Sequence, residues 1–151
     1  MLHVALWEPE IPPNTGNVAR LCAATGSPLH LIGRLGFRLD DRSLRRAGLD
    51  YWDAVEVVRH VTFAEFEVAI APGRVWCVET PAARPYTRAE FADGDCLLFG
   101  GESKGLPSAV REKCAETLIG IPMPAGRVRS LNLATAVGIV LYEALRQLHD
   151  W

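Results

Sequence analysis

The chain has 151 residues, enough for one domain with its own hydrophobic core. With 49% hydrophobic and 23% charged residues it has the balance of an ordinary globular protein, which excludes a disordered chain. A net charge of −2 excludes a protein that grips nucleic acid by bulk positive charge, although Arg34, Arg38, Arg42, Arg45 and Arg46 gather within thirteen residues and read equally as a solvated helix face or a phosphate-binding patch.

No apolar run approaches the roughly 18 residues of a membrane span. The opening segment MLHVALWEPE has no basic region followed by an apolar one, so no secretion signal is expected and the expected location is cytoplasmic. None of the cysteines Cys22, Cys77, Cys96 and Cys114 forms a Cys-x-x-Cys pair, and each sits in an apolar segment. They are expected to be reduced core residues. The histidines are scattered, which argues against a zinc or catalytic histidine cluster, and no metal is assigned.

Taken in chain order, Leu2–Trp7 reads as a short buried strand. Asn14–Thr25 reads as a helix capped by Asn14 and ended by Gly26. Leu29–Ile32 is a second strand, and Asp40–Ala47 a short basic helix ending at Gly48. Val55–Arg59 is strand-like, and Thr62–Ile70 resembles a helix capped by Thr62. After the Pro72-Gly73 turn, Arg74–Thr80 is a strand. Cys96–Phe99 is a strand that runs into Gly100-Gly101, and Pro107 begins a helix that reaches about Cys114. Leu118–Ile121 is a strand that stops at Pro122. Asn132–His149 is the strongest helix, with Leu133, Val137, Val140, Leu141, Ala144, Leu145 and Leu148 on one face. The alternation predicts an α/β fold: a mainly parallel sheet flanked by helices, in a single domain over 1–151. Ligands bind such sheets at the carboxyl ends of the strands, so the loops that follow strands carry the functional information.

Three of those loops look chemical. In Glu8–Arg20 the prolines pre-set the chain before a helix, and Asn17 and Arg20 share a helix face near its N-terminus. That suits a phosphate, and equally a capped helix with a surface arginine. Leu98–Pro107 is a glycine-rich turn after a strand; Leu106 stands where a P-loop requires lysine, and no dinucleotide fingerprint is present. It lets backbone approach a flat ligand, with Glu102 as a hydrogen-bond acceptor, or it is a tight turn with solvated charges. In Ile119–Thr135 a strand leads through two prolines to Arg129-Ser130-Leu131-Asn132 and an apolar helix. Ser130 or Asn132 caps that helix, or the polar step faces reacting atoms.

In this order the loops resemble the three motifs of the SpoU branch of the SPOUT methyltransferases. Asn14 and Arg20 match the first. Gly100, Glu102, Gly105 and Leu106 match the second. Ile121, Pro122, Met123, Ser130, Leu131 and Asn132 match the third. EPEIPPNTGNVARLCAATG, LRRAGLDYW, LLFGGESKGLP and RSLNLATAV are similar to the minimal tRNA (cytidine/uridine-34) 2′-O-methyltransferases, the TrmL/YibK group, over essentially the whole chain. The resemblance implies a SPOUT α/β knot with a C-terminal trefoil. It implies S-adenosylmethionine as methyl donor, without a metal, held by Val78, Gly100, Ile121, Met123, Ser130 and Leu131. It implies tRNA as substrate, methylated on the wobble ribose, and a homodimer in which Arg20 of one subunit reaches the other's cofactor. Methylation at another tRNA or rRNA position, or an inactive RNA-binding module, are the alternatives.

The expected catalytic set is Arg20, Asn14, Glu102, Ser130, Asn132 and Tyr142. A guanidinium keeps its proton in proteins, so Arg20 is expected to fix the target phosphate and hydroxyl and not to act as a base. Asn14 and Glu102 would position it, Ser130 and Asn132 would order nucleotide and cofactor, and Tyr142 is equally an amphipathic core residue. Arg20, Arg45 and Arg46 are the expected RNA contacts.

Overall fold

The structure is a computed structural model that describes residues 1–40, 42 and 52–151. The strands are β1 (His3–Trp7), β2 (Leu29–Ile32), β3 (Val57–His60), β4 (Val75–Val78), β5 (Cys96–Phe99) and β6 (Leu118–Ile119). They form one parallel sheet in the order β3-β2-β1-β5-β4-β6. The chain builds outward from β1 through β2 to β3, then crosses to the other side. The order therefore reverses between β1 and β5, and the crevice outside their carboxyl ends is the natural ligand position.

Helix α1 (Pro12–Thr25) and helix α4 (Leu133–His149) pack on one face, over Val4, Leu6, Leu29, Leu31, Leu97 and Phe99. Helix α2 (Phe63–Ile70) and helix α3 (Ser108–Lys113) cover the other, where Phe66, Ile70 and Val110 meet Ala5, Ile32, Cys77, Cys96 and Leu98. Strands buried on both faces need apolar residues at every position, which is why LHLI and CLLF show no alternation. The cysteines are free and buried, as their apolar settings predict. Among the described residues, no helix is long and apolar enough to cross a membrane.

Four boundaries differ by two residues from the sequence expectation, among them that of β4, which ends at Val78 and not at Thr80. Helix α1 begins at Pro12 after Ile11, not after Asn14, because proline at the first helical positions lacks only a donor that would be unpaired there. Asn14 is therefore not a cap, and its amide is directed elsewhere. Strand β3 starts at Val57; Val55 packs against the core from the preceding turn, so its hydrophobicity mimics a longer strand. Strand β6 is only two residues long, because Gly120 leaves the sheet: its N–H donates to Arg84 O and its carbonyl accepts from Tyr86 N, both at 2.9 Å. Gly26 ends α1 at φ 69° and Thr62 caps α2 by accepting from Glu65 N, both as expected. The predicted basic helix at Asp40–Ala47 lies, apart from Asp40 and Arg42, outside the described residues, as do Gly48, Arg45 and Arg46.

Three histidines that are far apart in the sequence meet in the fold. The parallel register sets Ala5 beside His30 and Ile32 beside His60, and three imidazoles form a diagonal ladder on one face. His3 Nδ1 lies 3.0 Å from His30 Nε2, and His30 Nδ1 lies 2.9 Å from His60 Nε2. Phe66 sets its ring edge-on to His30 and His60. Burial, then repulsion from His3 and His60, pushes His30 down to about 4. Burial and the N-terminal ammonium lower His3 against the pull of Glu56, and burial lowers His60 against Glu65. The folded protein thus favours the neutral rings. Their stabilisation is complete above the unfolded value of about 6.5 and is lost as pH falls toward 4. Urea titrations are expected to show a loss of about 3 kcal/mol from His30 between pH 7 and pH 4. The variant His30→Gln should lose most of that slope, and an unchanged slope would contradict the assignment.

Candidate functional site

A cleft of about 710 Å³ opens at the carboxyl ends of β4 and β5, bounded by the starts of α1 and α4. Its size is that of a small-molecule site. Val78, Phe99, Leu133 and Ala136 supply apolar wall, and Gly100–Gly105, Ile121 and Arg129–Asn132 supply backbone and polar groups.

The glycines of the loop after β5 are required by close approach. A Cβ on Gly100 would lie 2.3 Å from the carbonyl carbon of Gly105, and one on Gly101 would lie 2.8 Å from Glu8 O. Gly105 has φ 64° and donates from its N–H to Gly101 O at 3.0 Å. Three carboxylates then hold the loop from different sides. Glu79 accepts from Leu106 N at 2.7 Å. Glu10 accepts from Ser103 Oγ at 2.6 Å. Glu102 accepts from Glu10 N at 2.7 Å, Ile11 N at 3.2 Å and Asn14 Nδ2 at 3.4 Å. Glu102 thus stands at the start of α1, where Ile11 offers no side-chain cap and the helix favours negative charge.

The Asn14 amide continues the chain. Its Oδ1 accepts from Asn132 Nδ2 at 3.0 Å, and Asn132 Oδ1 accepts from Thr135 N at 3.2 Å, which makes Asn132 the cap of α4. Glu102, Asn14 and Asn132, distant in sequence, therefore form one relay that fixes the three loops around the cleft. Removing a charged acceptor with several donors costs about 2 kcal/mol. Calorimetry of Glu102→Ala is expected to show a Tm lower by about 4–8 °C. An unchanged Tm would show that the carboxylate does not latch the loops.

Of the expected site residues, Asn14, Val78, Gly100, Glu102, Ile121, Ser130, Leu131 and Asn132 line this cleft. Arg20 borders an adjoining cleft of about 440 Å³ with Asn17, and Asn132 walls both. Met123 lies outside both linings, its carbonyl accepting from Gly126 N at 3.1 Å. Tyr142 is 43% exposed, further along α4, with its ring 6.5 Å from that of Trp151. Arg45 and Arg46 are outside the described residues. Sequence reasoning missed Glu79 and Thr80 as lining residues, while Arg129 lines the cleft as part of the polar step expected there. The rule that ligands meet strand carboxyl ends would have found Glu79 and Thr80, since they follow β4 directly.

The sequence pattern of the family described as the SpoU rRNA Methylase family matches residues 1–142. The chain is 50% identical to a tRNA (cytidine(34)-2′-O)-methyltransferase of Aeromonas hydrophila, with 98% of this chain and 95% of the relative covered. A solved structure, "Structural insights into the 2-OH methylation of C/U34 on tRNA", superposes with a TM-score of 0.92 at 51% identity, covering 100% of this chain and 98% of that one. The SpoU methyltransferase AviRb from Streptomyces viridochromogenes, in complex with the cofactor AdoMet, superposes with a TM-score of 0.86 at 28% identity, covering 99% of this chain and 58% of that one.

Proposed function

This chain belongs to the SpoU rRNA methylase family, and we propose that it transfers a methyl group from S-adenosylmethionine to the ribose 2′-hydroxyl of the wobble nucleotide, position 34, of tRNA. The observation that carries the reading is the Glu102–Asn14–Asn132 relay, which gathers the three loops at one cleft. The activities named for its relatives at 50% and 51% identity support the substrate.

The cleft fits the donor in volume, in its apolar walls and in its glycine-built backbone rim. Val78, Gly100, Ile121, Ser130 and Leu131 would hold it, with Met123 supporting that wall through its turn to Gly126. When bound, S-adenosylmethionine supplies an electrophilic methyl carbon on a sulfonium. The ribose hydroxyl gives up its proton to solvent at or after attack, and the remaining requirement is its orientation. Arg20 supplies it by holding the adjacent phosphate and the hydroxyl with its planar fork. Asn132, common wall of both clefts, sets the Arg20 side against the donor side. Ser130 orders the nucleotide at the lip. Arg45 and Arg46 make backbone contacts to the tRNA, and Tyr142 has a secondary positioning role.

The protein acts as a homodimer in which Arg20 of one subunit completes the site of the other. The separate cleft at Arg20 and the exposed Tyr142 and Trp151 support this. The C-terminal trefoil knot is supported by Leu118–Gly120, which is bonded on one side to β4 and on the other to Arg84 and Tyr86 of the connection leaving β4.

Mass spectrometry of tRNA nucleosides after incubation with enzyme and donor tests the reading. The expected product is a 2′-O-methyl group at position 34. A methyl group elsewhere would overturn the wobble assignment, and RNA binding without methyl transfer would indicate an inactive RNA-binding module.

A further inference from the structure

We infer that the cleft between the ends of β2 and β3, about 530 Å³ in volume, is a subsite for an unpaired nucleotide of the RNA flanking the target. The inference rests on the RNA-methyltransferase reading above and adds Arg59 and Phe37 to it.

The cleft is lined by Gly33, Arg34, Leu35, Phe37, Arg59 and Val61. Its chemistry is that of a single-stranded nucleotide site. Two exposed arginines come from different strand ends, and the Phe37 side chain lines the same cleft with the apolar Leu35 and Val61. Arg59 Nη2 donates to Gly33 O at 3.3 Å, which ties that guanidinium to the loop after β2. Val61, 77% exposed, adds apolar surface to the same cleft. Guanidinium for phosphate and aromatic face for base is the pairing that binds unpaired nucleotides with little sequence preference. Two carboxylates border the cleft: Glu65 accepts from Val61 N at 2.9 Å, and the Glu8 side chain packs on Gly33, so a bound phosphate sits on the guanidinium side, away from both.

Placement supplies the second argument. The subsite lies on the same carboxyl edge of the sheet as the main cleft. Strand spacing puts β3 and β5 roughly 14 Å apart, a span that a few unpaired nucleotides cover. The loops between are in direct contact. Gly36 N donates to Pro9 O at 3.0 Å, a Cβ on Gly33 would meet the Glu8 side chain at 2.8 Å, and one on Gly101 would meet Glu8 O. The loops after β2, β1 and β5 thus form one continuous surface, and a strand bound in the main cleft runs along it to Phe37.

The test uses the full chain and a fluorescently labelled tRNA anticodon stem-loop, with anisotropy read across a salt series. Arg34→Ala with Arg59→Ala is expected to raise Kd about tenfold at low salt. It should also flatten the slope of log K against log salt by about 1.4, two single-strand phosphates at about 0.7 each. Phe37→Ala should raise Kd at least about fivefold at every salt concentration with no change of slope, and Phe37→Trp should restore binding. S-adenosylhomocysteine affinity, measured by calorimetry, should be unchanged in all of them. Failure of the unmodified protein to bind the stem-loop would overturn the parent reading. Binding by the unmodified protein, with variants that match it in Kd and slope, would overturn the subsite alone. Loss of S-adenosylhomocysteine binding in the variants, or stem-loop binding displaced by an acidic peptide, would also count against the subsite.

Discussion

Replacing Arg20 by alanine is expected to lower methyl transfer to tRNA by roughly 10²–10³-fold while leaving S-adenosylhomocysteine affinity within about twofold. The asymmetry follows from where the residue stands. Arg20 borders the smaller cleft and the donor is proposed to occupy the larger one, and the two linings share only Asn132. A residue that orients the hydroxyl acts on kcat and on RNA binding, not on the donor. Arg20→Lys keeps the charge and loses the fork, so it should recover only part of the rate. Mixed dimers separate action within a subunit from action across the interface. Co-expressing Arg20→Ala with a donor-site variant that keeps Arg20 should restore about a quarter of the sites if Arg20 acts across a two-fold interface. No recovery would place Arg20 and the donor site in the same subunit. An unchanged rate in Arg20→Ala itself would remove the residue from the mechanism.

What the residues disclose about this fold divides along physical lines. Strands and helices are legible because each buries a continuous apolar surface: CLLF, a short apolar run before two glycines, reads as a strand, and α4 repeats its leucines and valines at helical spacing. The parallel sheet followed from alternation. Pairings between distant segments were not legible. Nothing local links His3, His30 and His60; only the strand register does. Asn14 illustrates the same limit at the site. Its type and place before an apolar helix made it a cap, yet the prolines start the helix earlier and free its amide for Glu102 and Asn132. Along the sequence the site is three separate loops, each consistent with a plain turn. Their meeting depends on side-chain bonds between residues about ninety and more apart, which no single window of sequence contains. The resemblance supplied the chemistry, and the hydrogen bonds supply the reason these residue types are needed: an acceptor for backbone donors at Glu102, and amides that donate and accept at once at Asn14 and Asn132.

Gly100→Ala carries the second large effect, an expected fall of about 100-fold in S-adenosylhomocysteine affinity together with a stability loss of about 1–3 kcal/mol. The added methyl would sit 2.3 Å from the carbonyl carbon of Gly105, 2.5 Å from its Cα and 2.6 Å from Leu106 N. These are backbone atoms, so no side chain can swing aside. The turn must open, and opening it strains the bonds that shape it, Gly105 N to Gly101 O at 3.0 Å and Leu106 N to Glu79 at 2.7 Å. Because that backbone is also the wall of the large cleft, distortion and loss of ligand come from one displacement. Gly26→Ala separates the two effects. Gly26 also has positive φ, 69°, but open space around its missing Cβ and no part in the cleft. Its replacement should cost about 1 kcal/mol through backbone strain alone, with ligand affinity unchanged. Calorimetric titration and thermal melts of the two variants side by side decide the matter. If Gly100→Ala binds the ligand as well as Gly26→Ala does, the glycine turn is not the cradle, and the donor must rest on other walls of the cleft.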